Sequence, residues 1–183
     1  MVNKGPDSAG ALDLARSVGM RCAMGNHEAR LLSLVSTPPS EWRPKDWKMA
    51  DRIRHRLVEL ANEVSSWPLW IDLGNALVVH AGLQPGRERL EEMDRQVLLT
   101  VRTWDGEGRD MDNPLDPAWF ALATWPVPVV FGHWALRGLV DLPGFKGLDT
   151  GCVYGRKLTG WCPEEDRFYE VPARREYCPM SRD

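Results

Sequence analysis

Met20–Val35 reads MRCAMGNHEARLLSLV: a short apolar run, one glycine, then an amphipathic stretch that opens on Asn-His-Glu. MRCAM has the length and character of a buried strand, and GNHEARLLSLV passes from a loop into a helix. Strand, loop and helix in that order are the building unit of layered α/β proteins, where ligands collect beyond the carboxyl ends of strands. The same placement recurs further on. Of four histidines, three follow directly on an apolar strand: His27 in CAMGNHE, His80 in LVVHAG and His133 in VVFGHW. Any one of them alone reads equally as a satisfied structural histidine. Three placed alike, each beside a glycine that admits close backbone approach, point to a shared site, and neutral imidazole is the commonest metal ligand. His55, between Arg54 and Arg56, reads as part of a solvated helix face.

Working outward, Asp7 or Ser8 can cap a helix running to Val18, with Leu12, Ala15 and Val18 on its apolar side and Gly19 as its stop. TPPSEWRP breaks the chain. Residues 45–64 read as one amphipathic helix, since Met49, Ile53, Leu57, Leu60 and Val64 recur at spacings of three and four. LWIDLGNALVVHAG predicts two strands around a Gly-Asn turn, the second ending at His80. Residues 88–101 predict a helix, and DGEGRDMDNPLDP a polar loop that lies beside a site or moves. VPVVFGH is a further buried strand, and RKLTGWCPEEDRFYEVP a hairpin. With no repeat and no composition break, residues 1–183 read as a single domain.

Composition narrows the class. The chain is 43% hydrophobic and 27% charged with a net charge of −3, ordinary for a soluble globular protein and unlike a binder of nucleic-acid backbone. No apolar run approaches the ~20 residues of a membrane span, and the first residues lack the apolar region of a secretory leader. Cys22, Cys152, Cys162 and Cys178 are scattered without a Cys-x-x-Cys pair, so reduced thiols in the cytoplasm are the expectation. The nine tryptophans read as packing residues.

GNHE at Gly25–Glu28, HAG at His80–Gly82 and GH at Gly132–His133 resemble, in order, motifs of the calcineurin-like metallophosphoesterases, most closely the phosphoprotein-phosphatase branch. GLDTGCVYGRKLTG at Gly147–Gly160 is similar to the ApaH-like group, relatives of the bacterial symmetrical diadenosine tetraphosphatase. The likeness runs from Met1 to about Pro172. It implies an α/β fold of two mixed β-sheets packed face to face with flanking helices. It also implies two divalent ions (Mn, Fe or Zn), which neutralise phosphate charge and activate water. By the same resemblance Asn26, through its amide oxygen, His80 and His133 bind one of these ions, His27 is the general acid and Lys4 contacts phosphate. Asn3 stands where the protein phosphatases carry an Asp beside the catalytic His, which separates this chain from them. MVNKG resembles the tail of the family's GDxVxRG motif. That likeness implies a β-α unit before Met1 carrying DxHG and Gly-Asp, and with it the ligands of the first metal. Residues 1–183 by themselves then hold at most half of a two-metal site, and their activity is left open.

Arg102 in VRTW reads either as a phosphate contact or as an ordinary surface arginine. Asp149 reads as a carboxylate orienting a metal-binding histidine or as a turn residue beside Thr150 and Gly151. Glu28 reads as a first-turn acid that favours the helix dipole, and Cys152 as buried rather than catalytic. The resemblance implies hydrolysis of dinucleoside polyphosphates or a similar phosphorylated small molecule. Inorganic polyphosphate, a capped RNA end or a phosphoprotein are alternatives, and so is an inactive fragment that only binds a partner.

Overall fold

The computed structural model describes residues 3–53 and 56–180, so the readings of Met1 and His55 lie outside the described residues. Helix α1 spans Ser8–Ser17 and starts where the sequence predicts: the Asp7 side chain accepts from Gly10 N at 2.8 Å. Its end also agrees, since Gly19 takes φ +64°, a left-handed stop that glycine adopts without strain. Leu12 and Ala15 are buried, but Val18 is 63% exposed, because as the C-cap it has already turned off the apolar stripe.

Helix α2 spans Asn26–Ser36, α3 Pro44–Ile53 and α4 Leu57–Ser65. The single helix expected over 45–64 is therefore two. Arg56 caps α4 at φ −123°, ψ 12°, outside helical geometry, and breaks the continuity. The apolar stripe survives the break. Met49, Ile53, Leu60 and Val64 bury against Leu12, Leu31 and Leu34 in one helical core, with Leu57 packed on its edge. Each fully buried leucine there contributes roughly 2 kcal/mol of transfer free energy.

The sheet follows. Strands β1 (Trp70–Asp72) and β2 (Leu77–Val79) form an antiparallel hairpin whose turn uses Gly74 at φ +80°. Helix α5 is only Arg95–Thr100, shorter than expected over 88–101, because a separate 3-10 turn occupies Leu90–Glu92 and Asp94 restarts the helix by accepting from Gln96 N. Strand β3 (Val129–Phe131) lies parallel to β2, and β5 (Phe145–Gly147) parallel to β3. Strand β4 (Val140–Leu142) closes the edge antiparallel, giving the order β1-β2-β3-β5-β4. The second sheet is the hairpin of β6 (Lys157–Cys162) and β7 (Arg167–Pro172). Lys146 ties it to the first, bonding Asp141 at 2.5 Å while its ammonium sits 5.4 Å from the Trp161 ring and 5.6 Å from that of Phe168. The α/β class and the two-sheet arrangement agree with the sequence reading.

MRCAM is the exception. It lies outside both sheets with Met20 and Arg21 exposed and only Met24 buried, joined by Met24 N donating to Pro68 O at 2.8 Å, because a strand needs a continuous ladder and this segment has a single rung with that neighbour.

Trp119 is wholly buried at the centre of the sheet core, edge-on to Phe131, Phe145 and Phe120 with centroids 5.0, 5.4 and 5.7 Å away. A Cβ on Gly82 would stand 2.3 Å from its Cε2. Gly82→Ala is therefore expected to lose ~1–3 kcal/mol by overpacking. Urea unfolding checks this, and an unchanged midpoint would mean that Trp119 has room to move.

Candidate active site

Three parallel strands end on one edge of the sheet, and the residues that follow them are the ones singled out from the sequence. His80 follows β2, Gly132 and His133 follow β3, and Leu148 and Asp149 follow β5. Backbone bonds lock these ends together: Gly132 N donates to His80 O at 2.8 Å, and Leu148 N to Phe131 O at 2.7 Å. Asn26 and His27 reach the same edge from the first turn of α2.

The Asn26 amide oxygen lies 2.9 Å from His80 Nε2, and the His80 and His133 ring centroids are 5.2 Å apart. Burial pushes His80 down to about 4 and His133 to about 3, with the neighbouring His80 and Arg102 depressing His133 further. Both rings are thus neutral at pH 7, the form that offers a lone pair to a cation. His133 also holds φ +66°, a left-handed conformation that costs a non-glycine residue of order 1 kcal/mol and clusters at functional sites.

His27 Nδ1 faces Asn3 Nδ2 at 3.0 Å. The amide can donate to a neutral ring here or, turned over, accept from Nδ1–H of a protonated one. Arg52 fixes Asn3 from behind by donating to its carbonyl. Lys4 Nζ donates to the Tyr154 hydroxyl at 2.6 Å, and its charge, with that of Arg102, acts on Asp149, whose carboxyl burial pushes up. Arg102 Nη1 bonds Asp112 at 2.5 Å, while its Nε is buried and has no hydrogen-bond partner among the described residues.

Two features escaped the sequence reading. Glu28 sits in the first turn of α2 as read, but it is only 3% exposed; a Cβ on Gly25 would stand 2.6 Å from its Oε2 and 2.7 Å from His80 Nδ1, so a side chain there would displace both. Tyr154, which holds Lys4, lies inside the quoted GCVYG stretch. Gly132 has no such constraint, as its Cβ would meet nothing nearer than 3.6 Å. Of the other readings, Asp149 bonds Gly151 N at 3.2 Å, as a turn residue does, and the four cysteines are free thiols.

An Asn-His-His set of this kind supplies one amide oxygen and two neutral imidazoles, which fits part of the coordination of one divalent ion. Among the described residues no group of three or more His, Cys, Asp or Glu side chains is arranged to hold a metal. No helix among them is long and apolar enough to cross a membrane.

No family model matches the chain. It is 27% identical over 232 residues to the symmetrical bis(5'-nucleosyl)-tetraphosphatase of Aromatoleum aromaticum, an alignment covering 96% of this chain and 85% of that protein. To the enzyme of the same name from a Janthinobacterium strain it is 29% identical over 217 residues, covering 87% and 78%. A crystal structure of a candidate diadenosine tetraphosphatase superposes with a TM-score of 0.81 at 31% identity, covering 94% of this chain and 77% of that one. With relatives named as tetraphosphatases and the α/β fold they share, the chain is an α/β hydrolase of phosphoric ester or anhydride bonds. The chain belongs to the ApaH-like family of metallophosphoesterases, the family of the symmetrical bis(5'-nucleosyl)-tetraphosphatases.

Proposed function

We propose that this chain, as a single domain, hydrolyses dinucleoside polyphosphates at a centre in which Asn26, His80 and His133 hold one of two divalent ions. The observation that carries the reading is the pair of buried, neutral imidazoles beside an amide oxygen at the ends of parallel strands. When bound, such ions neutralise phosphoryl charge and make water acidic enough to attack at neutral pH. The protein's own groups do the rest. Lys4, held by Tyr154, and the partly exposed guanidinium of Arg102 grip phosphoryl oxygens. His27, protonated on both ring nitrogens with the Asn3 amide turned to accept from Nδ1–H, gives its Nε2 proton to the leaving oxygen as the anhydride bond breaks and is left a neutral imidazole. A manganese-dependent, cytoplasmic enzyme acting on a phosphorylated small molecule is the resulting picture. Asn3 favours it over a phosphoprotein phosphatase, which by family resemblance carries a carboxylate at that position.

Product identity tests the proposal. With manganese and diadenosine tetraphosphate, symmetrical cleavage yields two molecules of ADP, separable by anion exchange. ATP with AMP would mean a different cleavage position. Release of phosphate from a phosphopeptide with no ADP from the dinucleotide would hand the role to protein dephosphorylation, and no turnover of either by a preparation that binds two manganese ions per chain would overturn the reading.

A further inference from the structure

Beside the site runs a groove of about 290 Å³, walled by Asn26, Arg30 and Ser33 of α2 and by Arg95, Gln96 and Thr100 of α5. It joins the site at two points. Asn26 faces both His80 and the groove, and the Thr100 backbone hydrogen-bonds His133. The lining is not that of an apolar ligand pocket, and the volume lies at the small end of the range for small-molecule sites. Donors dominate it: two guanidiniums, two side-chain amides and two hydroxyls.

The groove also carries a surplus of positive charge. Arg30 spends Nε and Nη2 on the buried carboxylate of Asp46, which fixes its guanidinium and leaves Nη1 over. Asp46 accepts as well from Arg43, through both N and Nε, so one carboxylate serves two arginines. Arg95 is exposed and rests Nη2 on Met24 Sδ at 3.4 Å, a weak acceptor that leaves its charge uncompensated by that contact.

We infer that this groove is a subsite for the outlying phosphates of a polyphosphate chain, with Arg95 as its main specificity-determining residue. The identity of the substrate rests on the hydrolase reading above; the anion preference rests on the groove itself. A substrate with several linked phosphates presents charge well beyond the phosphoryl group being cleaved, and arginine matches phosphate oxygens in a planar, two-pronged fashion. A pre-fixed arginine and an exposed one on facing helices, one residue away from the reacting centre, suit that need.

The test uses the whole chain in chelator, so that no metal takes part, with inorganic tripolyphosphate and orthophosphate as probes in calorimetric titrations. Tripolyphosphate is expected to bind more tightly than orthophosphate. Arg95→Gln should weaken it about tenfold, the scale of one lost charge-assisted bond, while Arg95→Lys recovers part of the loss. Equal affinity of the native chain for the two anions, or tripolyphosphate binding unmoved by Arg95→Gln, would overturn the subsite. ADP release with unmoved tripolyphosphate binding removes the subsite and leaves the hydrolase reading standing; weakened binding with no ADP release does the reverse.

Discussion

In chelator, the chain is expected to lose stability steadily as pH falls from about 6.5 toward 4. The folded protein holds His80 down to about 4 and His133 to about 3, from an ordinary 6.5, mainly because burial excludes the charged ring. An unfolded chain takes up both protons once the pH drops below 6.5, and the folded chain does not. The unfolded state therefore binds more protons across that window, so the contribution is complete above 6.5 and disappears on acidification. Each unit of separation is worth about 1.4 kcal/mol. Two rings over two units or more thus remove several kcal/mol, a large part of the ~5–15 kcal/mol that a domain possesses.

Other groups are separable. Asp46, held to about 2 by Arg30 and Arg43 against the cost of its burial, loses its contribution only as pH falls below its ordinary 3.8, under the histidine window. Asp149 works in the opposite sense, since burial raises its carboxyl and favours the folded state on acidification. Urea midpoints measured from pH 7 to 4.5 should slope down in the native chain and flatten in His80→Gln/His133→Gln, whatever that variant's stability at pH 7. A native midpoint independent of pH across the range would mean that the two rings are protonated in the fold.

The largest effect on catalysis is expected at His27. His27→Asn should lower kcat by ~10²–10⁴-fold, the usual contribution of a positioned acid, while bound manganese stays at the native level. His133→Asn should lose manganese together with rate, because a ligand holds the cation rather than moving a proton. Metal content of the purified variants, read beside their kinetics, distinguishes the two. Loss of metal in His27→Asn with retention in His133→Asn would exchange the roles.

The sequence by itself determined the local pieces. Asp7 capping α1, the Gly74 turn, and the short apolar strands each followed by histidine all depend on neighbours within a few residues, where capping geometry and period-two burial act. Because β2, β3 and β5 are parallel, residues 80, 133 and 149 had to emerge on one edge. The sequence could suggest that convergence through the repeated strand-then-histidine pattern, but strand order and direction are properties of pairing between distant segments.

Only the tertiary structure decided the rest, and in each case the cause is a contact across the fold. MRCAM has strand character yet pairs with no sheet strand, having only one rung with Pro68. The stripe over 45–64 keeps one face although the backbone breaks at Arg56, because burial fixes where side chains point and tolerates a change of helix. Glu28 is the first-turn acid that the sequence indicates, but its burial beside Gly25 and His80 is a property of the fold. Arg30 and Arg95, 65 positions apart, share a groove only because α2 and α5 meet beside Asn26. Periodicity and capping are written in the sequence at short range; which polar groups lose water together depends on packing between segments far apart in the chain.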